Sequence, residues 1–336
     1  MAEHLWLGLC LTLVAGLLSG NCMLPMKFAK RWPFENTWLI FSVVSLVILP
    51  WALAIGSLKS VSSVYSALPV SAYVAPLVFG AGWGVAQVLF GLSMARLGLA
   101  LGYAIIVGLG ALLGTLVPLF VKNIEVVGTA RGALIFAGVG IMVAGIIVSA
   151  RAGKARERAV VGGDATHGKY GSAVALAFLC GLMAPMLNYA FAFGGSIADE
   201  AVRQGATREA AGYAVWPVAL LGGLIPNAGY SFWLLSRNHT WSRFRASWSP
   251  DVWFGCLMGV CWMGAFALYG VGSVYLGVLG TSVGWALFQI FMIMTANLSG
   301  VLTGEWKSAP ASATRGLWAG LGLLAFATTV IAAANR

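Results

Sequence analysis

Ten continuous apolar runs, each close to 20 residues long, constrain this chain more than any other feature. They cover residues 4–25, 36–56, 70–94, 99–121, 131–150, 170–192, 212–235, 251–270, 278–301 and 313–334. The hydrocarbon core of a bilayer is about 30 Å thick, and a helix needs roughly 20 apolar residues to cross it. The runs do not alternate in polarity, which favours helices over the strands of a membrane barrel. Hydrophobic residues make up 60% of the chain and charged ones 9%, whereas a soluble domain carries about 25% charged residues. A chain of that composition cannot cover itself with polar surface, so its solvent is largely lipid. The 44 Gly and 11 Pro are compatible with this, because neighbouring helices re-satisfy freed backbone groups inside a membrane. The expected fold class is an all-α integral membrane protein of ten transmembrane helices, with the lipid bilayer as its first partner.

The net charge of +10 does not point to nucleic acid, because the basic residues sit in short loops and form no stripe on a soluble domain. Fourteen of the 20 Lys and Arg residues lie after the first, third, fifth, seventh and ninth runs, among them Lys27, Lys30, Arg31, Arg151, Lys154, Arg156 and Arg158. The other side holds Lys59, Lys122, Arg131, Arg203, Arg208 and Arg336. The positive-inside rule then puts the richer side in the cytoplasm and both termini in the periplasm. Glu3 precedes the first run, with no basic residue before it and no small-residue cleavage site after it. That run reads as a retained helix. The five Cys, at 10, 22, 180, 256 and 261, lie within runs, show no metal spacing and read as small buried hydrophobes. No metal and no cofactor is expected.

The chain echoes itself. Residues 79–98, FGAGWGVAQVLFGLSMARLG, align without a gap on 258–277, MGVCWMGAFALYGVGSVYLG. Gly80 meets Gly259, Trp83 meets Trp262, Gly91 meets Gly270 and Gly98 meets Gly277. Weaker echoes keep the same order: Gly16-Leu17 with Gly181-Leu182, Pro50 with Pro226, Arg131-Gly132 with Arg315-Gly316. A unit of five helices crosses an odd number of times, so its second copy enters from the opposite face. The expected organisation is a 5+5 inverted repeat, with residues 1–150 as the first unit, a basic cytoplasmic linker at 151–169, and residues 170–336 as the second. Inverted repeats place a substrate site near the midplane and generate two mirror-related open states.

No charged residue falls near the centre of a run, and the acids and the three histidines (4, 167 and 239) sit at ends or in loops. The polar interior consists of amides and aromatics. Trp83 and Gln87 are four residues apart, as are Trp285 and Gln289, so each pair shares one helix face. An aromatic plane stacks on the apolar face of a sugar, and a carboxamide can donate to and accept from hydroxyls. The candidate substrate-binding residues are Trp83, Gln87, Asn188, Asn227, Trp262, Trp285, Gln289 and Asn21, and the expected substrate is a small neutral sugar. The plainer reading of each Asn or Gln, Asn297 included, is a hydrogen bond to a neighbouring helix. Gly102, Gly108, Gly110 and Gly114 read as close helix packing. Trp6, Trp32, Trp38, Trp51, Trp241 and Trp248 read as interfacial anchors. Zinc-protease and phosphate-loop patterns are missing, and the G-x-S-x-G match at Gly280–Gly284 lies inside an apolar run and not between a strand and a helix, so an enzyme is not expected. An embedded lipid- or sugar-modifying enzyme would have to rely on Glu35, Asp251 or His239 at a membrane boundary.

ENTWLIFSVVSLVILPW at 35–51 resembles the L-rhamnose–proton symporter family, within the drug/metabolite transporter superfamily. The likeness continues through 79–98, Gly114–Pro118, the Arg151-Ala152-Gly153 start with Glu157-Arg158, Cys180-Gly181, Gly222-Gly223 to Asn227, and the Trp285 helix ending Gly304-Glu305-Trp306. The resemblance implies a ten-helix carrier in a bacterial inner membrane, importing L-rhamnose or a related deoxy sugar with protons. It also leads to the expectation of an aspartate and a histidine beside the ninth-helix Trp. Residues 280–289, GTSVGWALFQ, have Thr281 and Phe288 there instead. That leaves Glu35 and Glu305 as the acids available for proton coupling. The alternative within the same fold is an exporter or exchanger of another metabolite.

Overall fold

The computed structural model describes residues 2–97, 99–161, 170–245 and 250–334, and every regular element in these segments is helical. Gly98, Asp164, His167, Lys169, Trp248 and Arg336 lie outside the described residues. Ten helices among the described residues are long and apolar enough to cross a membrane. They are α1 (Leu5–Lys27), α2 (Phe34–Ser57), α3 (Ser71–Ser93), α4 (Gly102–Lys122), α5 (Ala130–Ala159), α6 (Gly171–Arg203), α7 (Arg208–Arg237), α8 (Asp251–Tyr275), α9 (Val283–Leu302) and α10 (Ala311–Ala333).

Four of these depart from the apolar runs. The helix of α5 continues through Arg151, Lys154, Arg156 and Arg158 to Val161. The stretch expected as a linker therefore begins as a helical extension, because Ala, Arg, Lys and Glu are strong helix formers once the chain has left lipid. The polar stretch 194–211 is also structured. Gly195–Arg203 is helical with Ile197 and Ala201 buried, and Thr207 caps the short turn Arg208–Ala211 by accepting from the Ala210 N–H. Within α2, Val44–Ile48 winds as a π-turn immediately before Leu49-Pro50. Proline has no N–H and its ring collides with the carbonyl four residues back, so the ladder widens there.

The packing has a simple relation to chain order. Helix α3 lies along α7, α1 along α8 and α9, and α5 along α10. Shifting every label by five gives α8 with α2, α6 with α3 and α4, and α10 with α5, and these pairs also pack together. The matched glycines follow the same exchange. A Cβ on Gly80 would lie 1.8 Å from the Ala219 carbonyl oxygen of α7, and one on Gly259 would lie 2.7 Å from Val44 of α2. A Cβ on Gly16 would lie 2.3 Å from Phe291 of α9, and one on Gly181 would lie 2.8 Å from Leu109 of α4. At α3–α7 the backbones touch, since Gly222 returns the contact against the Leu77 carbonyl.

Trp6, Trp51 and Trp241 are exposed, as anchors are. Trp32 is not: it is buried, with its ring centroid 5.1 Å from that of Phe244. Trp38 stacks on Phe34 at 5.1 Å. Cys22 and Cys180 are buried, whereas Cys10 is exposed on the outer surface of the bundle.

Candidate functional site

On α8, Trp262, Phe266 and Tyr269 follow at i, i+4 and i+7, which puts three rings on one face. Trp262 reaches Trp83 of α3, and the two indoles stack with centroids 5.1 Å apart and planes at 27°. Phe41 of α2 meets Trp262 edge-on at 6.1 Å. Phe266 lies 4.5 Å from Trp262 and 5.4 Å from Phe288 of α9. Phe288 in turn lies 5.2 Å from Tyr269 and 5.7 Å from Trp285. Trp216 of α7 joins through Phe266 and lies flat on Phe191 of α6, at 4.8 Å and 7°. Rings from both halves thus form one continuous belt. Each such pair adds about 0.5–1.5 kcal/mol beyond its buried area.

The polar candidates divide into two sets. In the first, the side chains already make hydrogen bonds. Asn188 donates to the carbonyls of Gly114 and Thr281, both at 3.0 Å, and accepts from the Tyr269 hydroxyl. Trp285 donates its indole N–H to Gly110 O at 3.1 Å, and its ring occupies the space that a side chain at Gly114 would take. Asn21 donates to Leu17 O and accepts from Ser299, and Asn227 donates to Gly223 O at 2.9 Å. Asn188, Trp285 and Asn21 thereby tie neighbouring elements together, whereas the Asn227 bond stays within its own helix.

The second set is uncommitted. Gln289 is 7% exposed, and neither it nor Gln87 makes a hydrogen bond among the described residues. The indole N–H groups of Trp83 and Trp262 have no acceptor there either, and that of Trp216 is fully buried without one. A buried polar group left unpaired costs about 1–3 kcal/mol, and of this set that applies to the Trp216 N–H. Sequence reasoning missed Trp216, Phe266, Tyr269 and Phe288. The helical spacing from Trp262 could have found two of them.

The two acids also differ. Glu35 at the start of α2 is 5% exposed and accepts from Asn238 Nδ2 and Thr240 Oγ1, both at 3.0 Å. No cation pairs with it among the described residues. Glu305 lies between α9 and α10 and pairs with Lys27 of α1 and with Arg156 of α5, the latter at 3.0 Å. The hydrogen bond from Lys27 leads in holding its carboxyl below the ordinary value, against partial burial and with help from both cationic charges. A third acid, Asp251, is buried at the start of α8 and accepts the backbone N–H groups of Arg31 and Trp32 at 2.7 and 2.6 Å. No group of three His, Cys, Asp or Glu among the described residues could hold a metal.

Ten spanning helices joined around an internal belt of rings with unpaired polar groups define a multi-pass membrane transporter. The chain matches the L-rhamnose-proton symport protein (RhaT) family over residues 1–335 and belongs to that family, one of bacterial inner-membrane transporters and not of enzymes. A protein named L-rhamnose-proton symporter from Mannheimia succiniciproducens is 27% identical over 326 residues, 94% of each chain. One of the same name from Escherichia coli (strain SMS-3-5 / SECEC) is 26% identical over 318 residues, 92% of each chain. One crystal structure of a protein shares the fold at TM-score 0.57 and 18% identity, over 96% of this chain and 95% of the other.

Proposed function

We propose that this chain imports L-rhamnose, or a closely related deoxy sugar, together with protons by alternating access between two five-helix halves. The observation that carries the substrate is the match to the symporter family over residues 1–335, with relatives bearing that name along 94% of their length. The interior supports it. A neutral sugar needs ring faces and neutral hydrogen-bonding groups, and Trp83, Trp262, Gln87 and Gln289 offer both without competing partners. Asn188, Trp285 and Asn21 act behind them by fixing the helices, and Asn227 lines the same interior with its carboxamide oxygen open to a substrate hydroxyl.

The exchange of packing partners under a shift of five, and the stack of Trp83 on its counterpart Trp262, support an inverted 5+5 relation with the sugar site on the pseudo-symmetry axis. The basic ends of the odd-numbered helices face the cytoplasm in this reading, and both termini face the periplasm. Glu35 is the proton-coupling group, because it is a buried carboxylate held only by neutral donors. Glu305, bound by two cations, serves as a latch between α1, α5 and the α9–α10 turn.

The test is uptake of labelled L-rhamnose into proteoliposomes or cells, with external pH recorded. Sugar entry accompanied by external alkalinisation is expected. Correctly inserted protein that gives no uptake above an empty-vector control would remove the substrate assignment, and uptake without alkalinisation would remove the proton. Reporters on the two termini that mapped to opposite faces would refute the five-plus-five arrangement.

A further inference from the structure

A cleft of about 510 Å³ opens on the outer flank of the bundle between α4, α5 and α6, away from the aromatic belt. Its walls are apolar, with Leu109 and Leu112 of α4, Ile147 of α5 and Phe178 of α6 among them. Ile147 and Phe178 are 43% and 51% exposed, so the cleft faces the surroundings of the helices. Gly108 forms part of its lining, and the nearest atom to a Cβ built there is 3.9 Å away. The absence of a side chain at that position helps to make the depression.

One end of the cleft is charged. Arg151 and Lys154 line it, three residues apart on one face of the α5 extension. Neither has an acidic partner among the described residues, whereas Arg156, two residues further on, is held by Glu305. From Val143 to Lys154 the cleft runs about 16 Å along α5, close to the hydrocarbon depth of one leaflet, half of roughly 30 Å.

We infer that this cleft binds an anionic phospholipid, with an acyl chain along Leu109, Leu112, Ile147 and Phe178 and the phosphodiester bridging Arg151 and Lys154. A zwitterionic headgroup would set its own ammonium beside two cations, with no acid among the residues that line the cleft. A neutral sugar would find no hydrogen-bonding wall. Unpaired basic residues between helices at the membrane boundary are the general means of recognising acidic headgroups. The inference does not depend on what the protein transports.

The full chain, purified in detergent, is titrated with dioleoyl phosphatidylglycerol or with dioleoyl phosphatidylcholine. Binding is read by native mass spectrometry and by the thermal unfolding midpoint. Phosphatidylglycerol should stay bound and raise the midpoint, and phosphatidylcholine should do neither. The variant Arg151→Gln/Lys154→Gln should bind phosphatidylglycerol roughly thirtyfold more weakly, from about fivefold per cation. The control Arg243→Gln/Arg245→Gln should bind as the parent does. Gly108→Leu, which fills the cleft without changing charge, should weaken binding independently. Equal shifts with both lipids, or full phosphatidylglycerol binding in both cleft variants, would overturn the proposal. So would glycerol 3-phosphate reproducing the shift, because the site would then hold a phosphate and not a lipid.

Discussion

The two ends of the bundle are held shut by different chemistry. On the basic end, contacts between helices run through carboxylates: Glu305 joins Lys27 and Arg156, Asp251 takes the Arg31 and Trp32 amides, and Glu35 takes Asn238 and Thr240. On the other end the described contacts run to backbone carbonyls. Tyr65 donates to Ala214 O at 2.8 Å, Lys122 donates to Ala192 O, and Asn123 donates to Val278 O at 3.5 Å. A carboxylate latch responds to protons and salt across the acid range, whereas the Tyr65 hydroxyl and the Asn123 amide on carbonyls do not, and only Lys122 brings a charge to the contacts just named at that end. The difference teaches that protonating a carboxylate can bias one end more than the other, which is what coupling to a proton gradient requires.

Substitutions can break that contrast, and the largest effect should come from Glu35. Glu35→Gln keeps the shape but removes the titrating group, so proton-driven accumulation of labelled sugar should vanish while exchange of sugar across the membrane persists. Unchanged accumulation would transfer the coupling role to another group. Asp251→Ala strands the buried Trp32 amide and the part-buried Arg31 amide, and by the usual worth of a hydrogen bond to a charged group the loss is about 3 kcal/mol. It should appear as a lower midpoint of thermal unfolding in detergent. Tyr65→Phe, on the opposite end, removes one neutral hydrogen bond and should cost about 1 kcal/mol, with the same value at low and high salt.

Glu305→Gln should have the smallest effect. Its partner Lys27 is 50% exposed and Glu305 itself 35% exposed, so solvent screening keeps the contribution below about 1 kcal/mol. Its signature is the dependence on conditions. The carboxyl is held below its ordinary 4.5, so its contribution is complete above that value and lost as pH falls through the lowered one. The substitution should flatten that acid limb, and 1 M salt, where screening acts over about 3 Å, should make parent and variant alike. A limb that survives in Glu305→Gln would assign it to Glu35, the carboxylate that Asn238 and Thr240 hold.

Much of this was legible in the sequence. Run length alone gave ten crossings, because lipid thickness leaves little freedom. The gapless match of 79–98 on 258–277 singled out Trp83 and Trp262, which the structure stacks together. The rest of the belt was hidden. In a membrane helix the residues facing lipid and those facing the core are both apolar, so Phe266, Phe288 and Trp216 carry no polarity signal. For the same reason Trp32 read as an anchor although it is buried. Nor could the sequence separate Asn188, whose three hydrogen bonds go to α4, to α8 and to the turn before α9, from Gln289, which has none among the described residues, because residue type says nothing about what a neighbouring backbone already supplies.

The widened turn at Val44–Ile48 has a mechanical consequence. A rod with one loose coil bends there before it bends anywhere else, and Pro50 ensures that no amide can tighten the coil again. The two portions of α2 are therefore free to change their relative tilt at little elastic expense. The lower portion carries Glu35 and Phe41, one at the basic boundary and the other against the indole stack. A small swing about this joint would shift the carboxylate and the ring together, linking the boundary to the centre through one short lever.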